Sequence, residues 1–270
     1  MPRIQANGIQ LYYELTGPAN QPVVLLSNSL GTRLEMWDPQ VQALTERYRV
    51  LRYDSRGHGR SDAPEGPYSI EMLADDAIGL LDALEIERVH FCGLSKGGMV
   101  GQMLGARHGE RLVSLALCST ACHMPPRELW DERIRLVTEA GMAAVADGVV
   151  ERWFTESFRR EPTVELERVL RMILDTPPHG YAGCCAAIRD MDLRELITGI
   201  RVPTLVIVGE DDPATPPEKA EEIQRRIPGA QLEVLPDAAH LLNVEQDVVF
   251  AAALMSLLDR HRRMTEERTG

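Results

Sequence analysis

Two short runs, Val23 to Leu26 and, His90 apart, Val89 to Cys92, are apolar at consecutive positions instead of at every second one. A strand with one wet face alternates, whereas an unbroken apolar strand needs cover on both faces, which a parallel sheet flanked by helices provides. The surrounding order agrees. Pro22 to Leu26 is followed by helical spacing over Met36 to Arg47, a short run at Tyr48 to Tyr53, helical spacing over Ile70 to Leu84, and the run from Val89 to Gly93. Ile9 to Leu15 alternates better and reads as an antiparallel edge hairpin.

From about Cys122 to about Leu196 the pattern changes. Trp130 to Val137, Val145 to Phe154, Thr163 to Ile173 and Tyr181 to Ile188 all have helical spacing, with no convincing strand between them. Strand signals return at Thr204 to Val208 and Gln231 to Leu235, separated by helical Pro217 to Arg226, and a helix from Glu245 to about Arg262 closes the pattern. The expected organisation is a mostly parallel, doubly wound α/β core in two parts, 1–121 and 197–270, split by a helical cap or lid at 122–196. A chain of 270 residues is long enough for one such core plus an insertion. The polar stretch 263–270 is expected to fray.

Charge narrows the partners. With 29 Lys and Arg against 41 Asp and Glu, the formal net charge is −12, which works against non-specific binding to nucleic acid or anionic membranes. The longest apolar stretch, Val248 to Leu258, is bounded by Asp247 and Asp259, falls short of the roughly 18 to 20 residues of a bilayer span, and reads as a buried helix. The opening MPRIQANGIQ lacks the apolar run of a signal peptide, so a cytoplasmic location is expected. Five cysteines without repeated Cys-x-x-Cys spacing read as reduced, buried thiols, and no metal-ligand spacing is visible.

Chemistry enters at Gly93-Leu94-Ser95-Lys96-Gly97-Gly98, which follows an apolar strand directly and opens a helix through Met99 to Ala106. This is the G-x-S-x-G nucleophile elbow in its required strand-to-helix context. Serine on so sharp a turn is forced into strained backbone geometry, and glycines two residues either side remove Cβ atoms that would collide. The Lys96 amide, at the helix start, points toward an oxyanion forming on a substrate held by Ser95. Alone, the pentapeptide could be a helix cap and nothing more.

A serine nucleophile needs a base, and the base an orienting acid, in the chain order Ser, Asp, His. Gly209-Glu210-Asp211-Asp212-Pro213 follows the strand at Thr204 to Val208, and Pro236-Asp237-Ala238-Ala239-His240 follows the strand at Gln231 to Leu235. Past the last strand and before the last helix, His240 is the base; His58, His90, His108, His123, His179 and His261 read as ordinary solvated or hydrogen-bonded surface histidines. Three elements coinciding in order outweigh any one motif. The acid is open among Glu210, Asp211 and Asp212.

The chain resembles the α/β-hydrolase superfamily throughout: the elbow at Ser95, the loop Arg56-Gly57-His58-Gly59-Arg60-Ser61, the Gly-x-x-Asp turn at Gly209 to Asp212 and the closing Ala239-His240. The resemblance implies the α/β-hydrolase fold and Asp212 as the acid, with Asp211 the fallback. Ser27-Asn28-Ser29-Leu30-Gly31-Thr32, Met36-Trp37-Asp38-Pro39-Gln40, Asp212-Pro213-Ala214-Thr215-Pro216-Pro217, Asn243-Val244-Glu245-Gln246 and the segment Cys184 to Asp190 are similar to 3-oxoadipate enol-lactonases of aromatic catabolism. Lys96 departs from that likeness, because an apolar residue is expected there. The resemblance implies the Ser29 amide as second oxyanion donor, with Leu30 the neighbouring choice. The Ser29 hydroxyl is expected to satisfy local backbone, as loop serines mostly do. The Arg56 to Ser61 loop is expected to be structural, closing against the elbow.

The resemblance implies serine hydrolysis of an enol lactone without metal or organic cofactor. Carbon–carbon hydrolysis of ring-fission products, or broad carboxylesterase or perhydrolase activity, would use the same triad, and a non-catalytic ligand sensor is a third class. An oxoadipate enol lactone carries a carboxylate, which a chain of charge −12 repels, so local cations must receive it. Candidates are Lys96, Arg33, Arg133 and Arg189, with Trp130 a further substrate contact. The bland alternative for each cation is a surface pair with an acid such as Glu35 or Asp190. Oligomeric state is not legible.

Overall fold

The computed structural model describes residues 2–161 and 163–266, with side chains through Arg262. Eight strands, β1 (Arg3–Ala6), β2 (Ile9–Thr16), β3 (Val23–Ser27), β4 (Arg49–Tyr53), β5 (Val89–Leu94), β6 (Leu112–Cys118), β7 (Thr204–Gly209) and β8 (Gln231–Leu235), form one sheet. Their order is β1-β2-β4-β3-β5-β6-β7-β8. β1 and β2 make the expected antiparallel hairpin and β2 joins β4 antiparallel; every pairing from β4 to β8 is parallel. β5, β6 and β7 are buried along their whole length, as unbroken apolar strands require.

Helices cover both faces. α2 (Ile70–Ala83) packs with α3 (Lys96–Arg107) against β1, β3, β5 and β6, while α1 (Asp38–Thr45) packs with α11 (Asp247–Glu266) over β4, β6 and β8. α2 starts at Ser69, whose side chain accepts from the Met72 amide, satisfying one of the donors a helix N-terminus leaves open. Its Asp76 receives Arg56 in a bidentate pair, Nε to Oδ2 at 2.8 Å and Nη2 to Oδ1 at 2.6 Å. That pair ties the loop after β4 to the helix layer.

One strand escaped the sequence reading. Leu112 to Cys118 reads Leu-Val-Ser-Leu-Ala-Leu-Cys, rich in good helix formers and too short for its period to decide. Burial between β5 and β7 makes it a strand. The apolar stretch 248–258 also differs from expectation: Phe250, Leu254, Leu257 and Leu258 are buried, but Val248 is 75% and Val249 45% exposed. α11 is amphipathic: in its first turn Val248 and Val249 face outward while Phe250 faces the core. It continues to Glu266, past the expected start of fraying, and 267–270 lie outside the described residues. No helix among the described residues is long and apolar enough to cross a membrane.

Between β6 and β7 the chain makes a helical excursion: α4 (Arg127–Ala140), α5 (Ala143–Trp153), α6 (Glu156–Arg160), α7 (Val164–Leu174) and α8 (Pro178–Asp190). α4 packs on α8, and α5 on α4 and α7. α6, only one turn and a half long, carries too little periodicity to read from sequence. The excursion leaves and returns at one neck, where the Leu193 amide donates to Cys122 O at 2.8 Å and His123 bridges to Asp192. The turn Leu196–Gly199 already packs on α3. α9 (Pro217–Arg226) and the short α10 (Leu242–Glu245) complete the described fold.

Candidate active site

Ser95 sits between β5 and α3 at φ 56°, ψ −114°, a conformation L residues adopt only under tertiary constraint. The constraint is visible. Its amide donates to Cys118 O at 2.8 Å and its carbonyl accepts from Thr120 Oγ1 at 2.7 Å. A Cβ on Gly93 would stand 2.1 Å from Gly97 O, and one on Gly97 would stand 2.1 Å from Ser27 O. Close approach of strand, turn and helix thus requires both glycines.

The acid and base meet at the ends of β7 and β8. His240 Nδ1 donates to Asp212 Oδ2 at 2.9 Å. Thr215 Oγ1 reaches the same oxygen at 2.8 Å, and the amides of Ala214 and Thr215 donate to Oδ1 at 2.8 and 2.9 Å. Burial pushes the Asp212 carboxyl up, but the His240 charge and these donors outweigh it and hold it below its ordinary value. A carboxylate offers no proton, so Nδ1 carries the hydrogen of that contact, and Nε2 is the ring nitrogen left free of it. Trp153 stacks on the imidazole, with centroids 6.0 Å apart. Asp212 is buried, whereas Glu210 and Asp211 are exposed; the choice left open by the acidic run falls on Asp212 by geometry.

The loop after β3 is fixed from several sides. Asn28 Nδ2 donates to Tyr53 O at 2.7 Å and Asn28 Oδ1 accepts from Trp37 Nε1 at 3.0 Å; the Gly31 amide donates to His58 Nε2 at 2.9 Å. The Ser29 amide points at Met36 Sδ, 3.3 Å away. Thr32 N returns to Ser29 O. Among the described residues the Leu30 amide has no such acceptor, which makes it, rather than the expected Ser29 amide, the loop N–H left available to a ligand. The reason is the inward turn of Met36, which occupies the Ser29 N–H.

Two histidines read as surface residues are buried. His58 accepts from Gly31 while its Nδ1 lies 3.2 Å from Arg56 O. Burial, aided by the Lys96 charge, lowers its pKa well below the usual value, consistent with a ring whose Nε2 must accept. The Arg56 to Ser61 loop therefore braces the oxyanion loop rather than the elbow. His90 lies inside the core on β5, its Nδ1 2.8 Å from Ser114 Oγ.

Ser95 and His240 face a cavity of about 260 Å³ lined also by Ser29, Leu30 and Thr215 from the core, and by Trp130, Arg133, Arg152, Trp153 and Tyr181 from the helical excursion. Of the expected substrate contacts, Trp130 and Arg133 are there. The others are not. Arg33 is paired with Glu35 at 3.2 Å and Asp175 at 3.1 Å, and Arg189 with Asp190 and Asp131, each at 2.7 Å. The Lys96 side chain is fully buried behind the turn, where desolvation lowers its pKa against the opposing pull of Cys184, Asp76 and Asp54. Only its amide remains a candidate.

Arg152 was not anticipated. Like Arg133 it has no carboxylate within 4 Å among the described residues, and burial, with the Arg133 charge beside it, lowers the Arg152 pKa. Arg133 lies over the Trp130 ring at 5.1 Å and near Tyr181. One signal could have found the pair. Arg127, Arg135 and Arg160 each have an acid three or four residues away and pair with it, whereas Arg133 has none at such spacing and Arg152 none within its own helix.

The alpha/beta hydrolase family model matches residues 18–253. The chain is 37% identical over 257 residues to 3-oxoadipate enol-lactonase 2 of Acinetobacter baylyi, spanning 95% of this chain and 96% of that protein. It is 39% identical over 243 residues to 3-oxoadipate enol-lactonase 1 of the same organism, spanning 90% and 91%. The crystal structure of the enol-lactonase from Burkholderia xenovorans LB400 superposes with a TM-score of 0.93 at 45% identity, covering 96% of this chain and 100% of that one.

Proposed function

This chain belongs to the alpha/beta hydrolase family, and from that premise we propose that it is a serine hydrolase opening the enol lactone of 3-oxoadipate, a step of aromatic catabolism. The observation that carries the reading is one cavity holding Ser95 and His240 together with Arg133 and Arg152, two arginines free of acidic partners among the described residues. A neutral ester needs the first pair only; a lactone with a carboxylate side chain needs both. The helices at 122–192 serve as a cap over that cavity, contributing both arginines.

In the mechanism, His240 Nε2 takes the Ser95 hydroxyl proton as Oγ bonds to the lactone carbonyl carbon, and the carbonyl π pair moves onto oxygen. Asp212 stabilises the resulting imidazolium and keeps its orientation. The Leu30 and Lys96 amides receive the oxyanion, and the α3 N-terminus adds its dipole. Collapse re-forms the carbonyl and breaks the ring C–O bond; the departing enolate takes the proton from His240 and relaxes to a ketone. His240 then removes a proton from water, which attacks the acyl carbon, and Ser95 leaves with that proton. The dicarboxylate product is set free. The five buried, unpaired thiols suit a reducing cytoplasm.

Ultraviolet loss of the enol lactone with purified protein tests the reading, compared with a neutral γ-lactone and an aryl ester. Preference for the anion by at least about 100-fold in kcat/KM is expected. Arg152→Gln and Arg133→Gln should each raise KM for the anionic lactone about tenfold and leave the neutral ester within about twofold, since a charge-assisted contact contributes about 1.5–3 kcal/mol. Equal kcat/KM on charged and neutral substrates in the wild type would overturn the lactonase reading in favour of a general esterase.

A further inference from the structure

Ser29 differs from the threonine hydroxyls around the site and, unlike the equally unpartnered Ser119, it lines the cavity. Its neighbour Thr32 donates to Ser29 O at 3.0 Å, Thr215 to Asp212 at 2.8 Å and Thr120 to Ser95 O at 2.7 Å. Ser29 is wholly buried, yet its Oγ has no hydrogen-bond partner among the described residues, and the residue lines the cavity shared by Ser95 and His240. Burying a hydroxyl without a protein partner costs stability, and such a cost is retained where a ligand supplies the partner. Leu30, whose amide is the oxyanion donor, follows directly in the chain.

We infer that the Ser29 hydroxyl is a third, side-chain donor to the oxyanion that forms when Ser95 attacks. The loop's other polar groups are spent on holding its shape: the Ser29 amide on Met36, the Gly31 amide on His58, Asn28 on Tyr53 and Trp37. Ser29 Oγ and the Leu30 amide are what the loop has left to offer a substrate. A hydroxyl donates without changing its own bonding, so no proton leaves Ser29 at any step. Its contribution grows as negative charge develops on the carbonyl oxygen, and it therefore acts on kcat more than on KM.

The inference rests on the serine-hydrolase chemistry proposed above but not on the lactone as substrate, and the test separates the two. Ser29→Ala and Ser29→Thr are compared with wild type on p-nitrophenyl acetate and on the enol lactone, alongside melting temperature. Ser29→Ala is expected to lower kcat on both substrates by similar factors, about 10- to 100-fold, with KM within about threefold and Tm unchanged or higher. Ser29→Thr, which keeps the hydroxyl, should recover most of the lost kcat. Inhibition by phenylboronic acid, which forms a tetrahedral adduct on a serine nucleophile, should weaken in parallel with kcat in Ser29→Ala. An unchanged kcat on both substrates would overturn the inference, as would a loss that follows a fallen Tm and is not recovered by threonine. A loss confined to the lactone would also overturn it, because the oxyanion forms with either substrate. Turnover of the aryl ester without turnover of the lactone would sink the proposed substrate and leave the Ser29 comparison intact.

Discussion

Asp211 and Asp212 are adjacent carboxylates with opposite surroundings. Asp211 is exposed on the turn, whereas Asp212 accepts the His240 imidazole and three donors from Ala214 and Thr215. Only a carboxylate facing the ring can both fix the tautomer and stabilise the imidazolium. Asp212→Asn is therefore expected to lower kcat by about 10³- to 10⁴-fold and Asp211→Asn by less than about twofold. Steady-state kinetics on an aryl ester checks the ranking; the reverse order would move the acid by one residue. The sequence narrowed the acid to this turn but could not choose within it by spacing, because a one-residue step changes a side chain's direction without changing its type. The same limit applied at Ser29 and Leu30. A main-chain donor leaves no mark in residue identity, and only the Met36 sulfur on the Ser29 amide separates the two.

At the scale of elements, the elbow was legible because it depends on what cannot be present. Gly97 must lack a Cβ for α3 to lie against the Ser27 carbonyl. Gly97→Ala is thus expected to push α3 and the β3 loop apart, costing about 3 kcal/mol by overpacking against backbone that has no rotamer to yield. A lower urea midpoint at unchanged m, with kcat reduced as well, is the expected result; an unaltered midpoint would mean that the helix start is free to shift. The strands with unbroken apolar runs were equally readable, as were four of the five helices of the excursion. β6 and α6 were not. β6 carries residues that suit a helix as well as a strand, and its identity comes from the two strands that enclose it.

At the scale of the whole molecule, acid stability follows from the two histidines the core has enclosed. Desolvation lowers His90 from 6.5 to about 4, with His261 and Arg88 adding to the shift, Asp259 opposing it, and the Tyr48 ring edge and Ser114 completing its surroundings. His58 lies well below its usual value for the same cause, beside Lys96. In the unfolded chain both take up protons near pH 6.5. Between that pH and the folded values the unfolded state binds more protons, so stability present above 6.5 is lost as pH falls. The gap for His90, 6.5 to about 4, corresponds to about 3 kcal/mol by pH 4. Tm is expected to drop steadily from pH 7 to pH 4.5, and more gently in His90→Gln; equal slopes for both would show that His90 does not titrate with unfolding. By itself the sequence determined the parallel sheet, the interruption by helices, the serine on its turn and the histidine after the last strand, because apolar period, glycine placement and chain order are local properties. Only the tertiary structure decided which histidines are buried, which arginines lack acids, and which loop hydroxyl is left without a partner. Those depend on segments far apart in the chain: Arg33 and Arg189 are neutralised by carboxylates that sequence could only suggest, and Arg133 and Arg152 are brought to Ser95 by folding the excursion back over the strand ends.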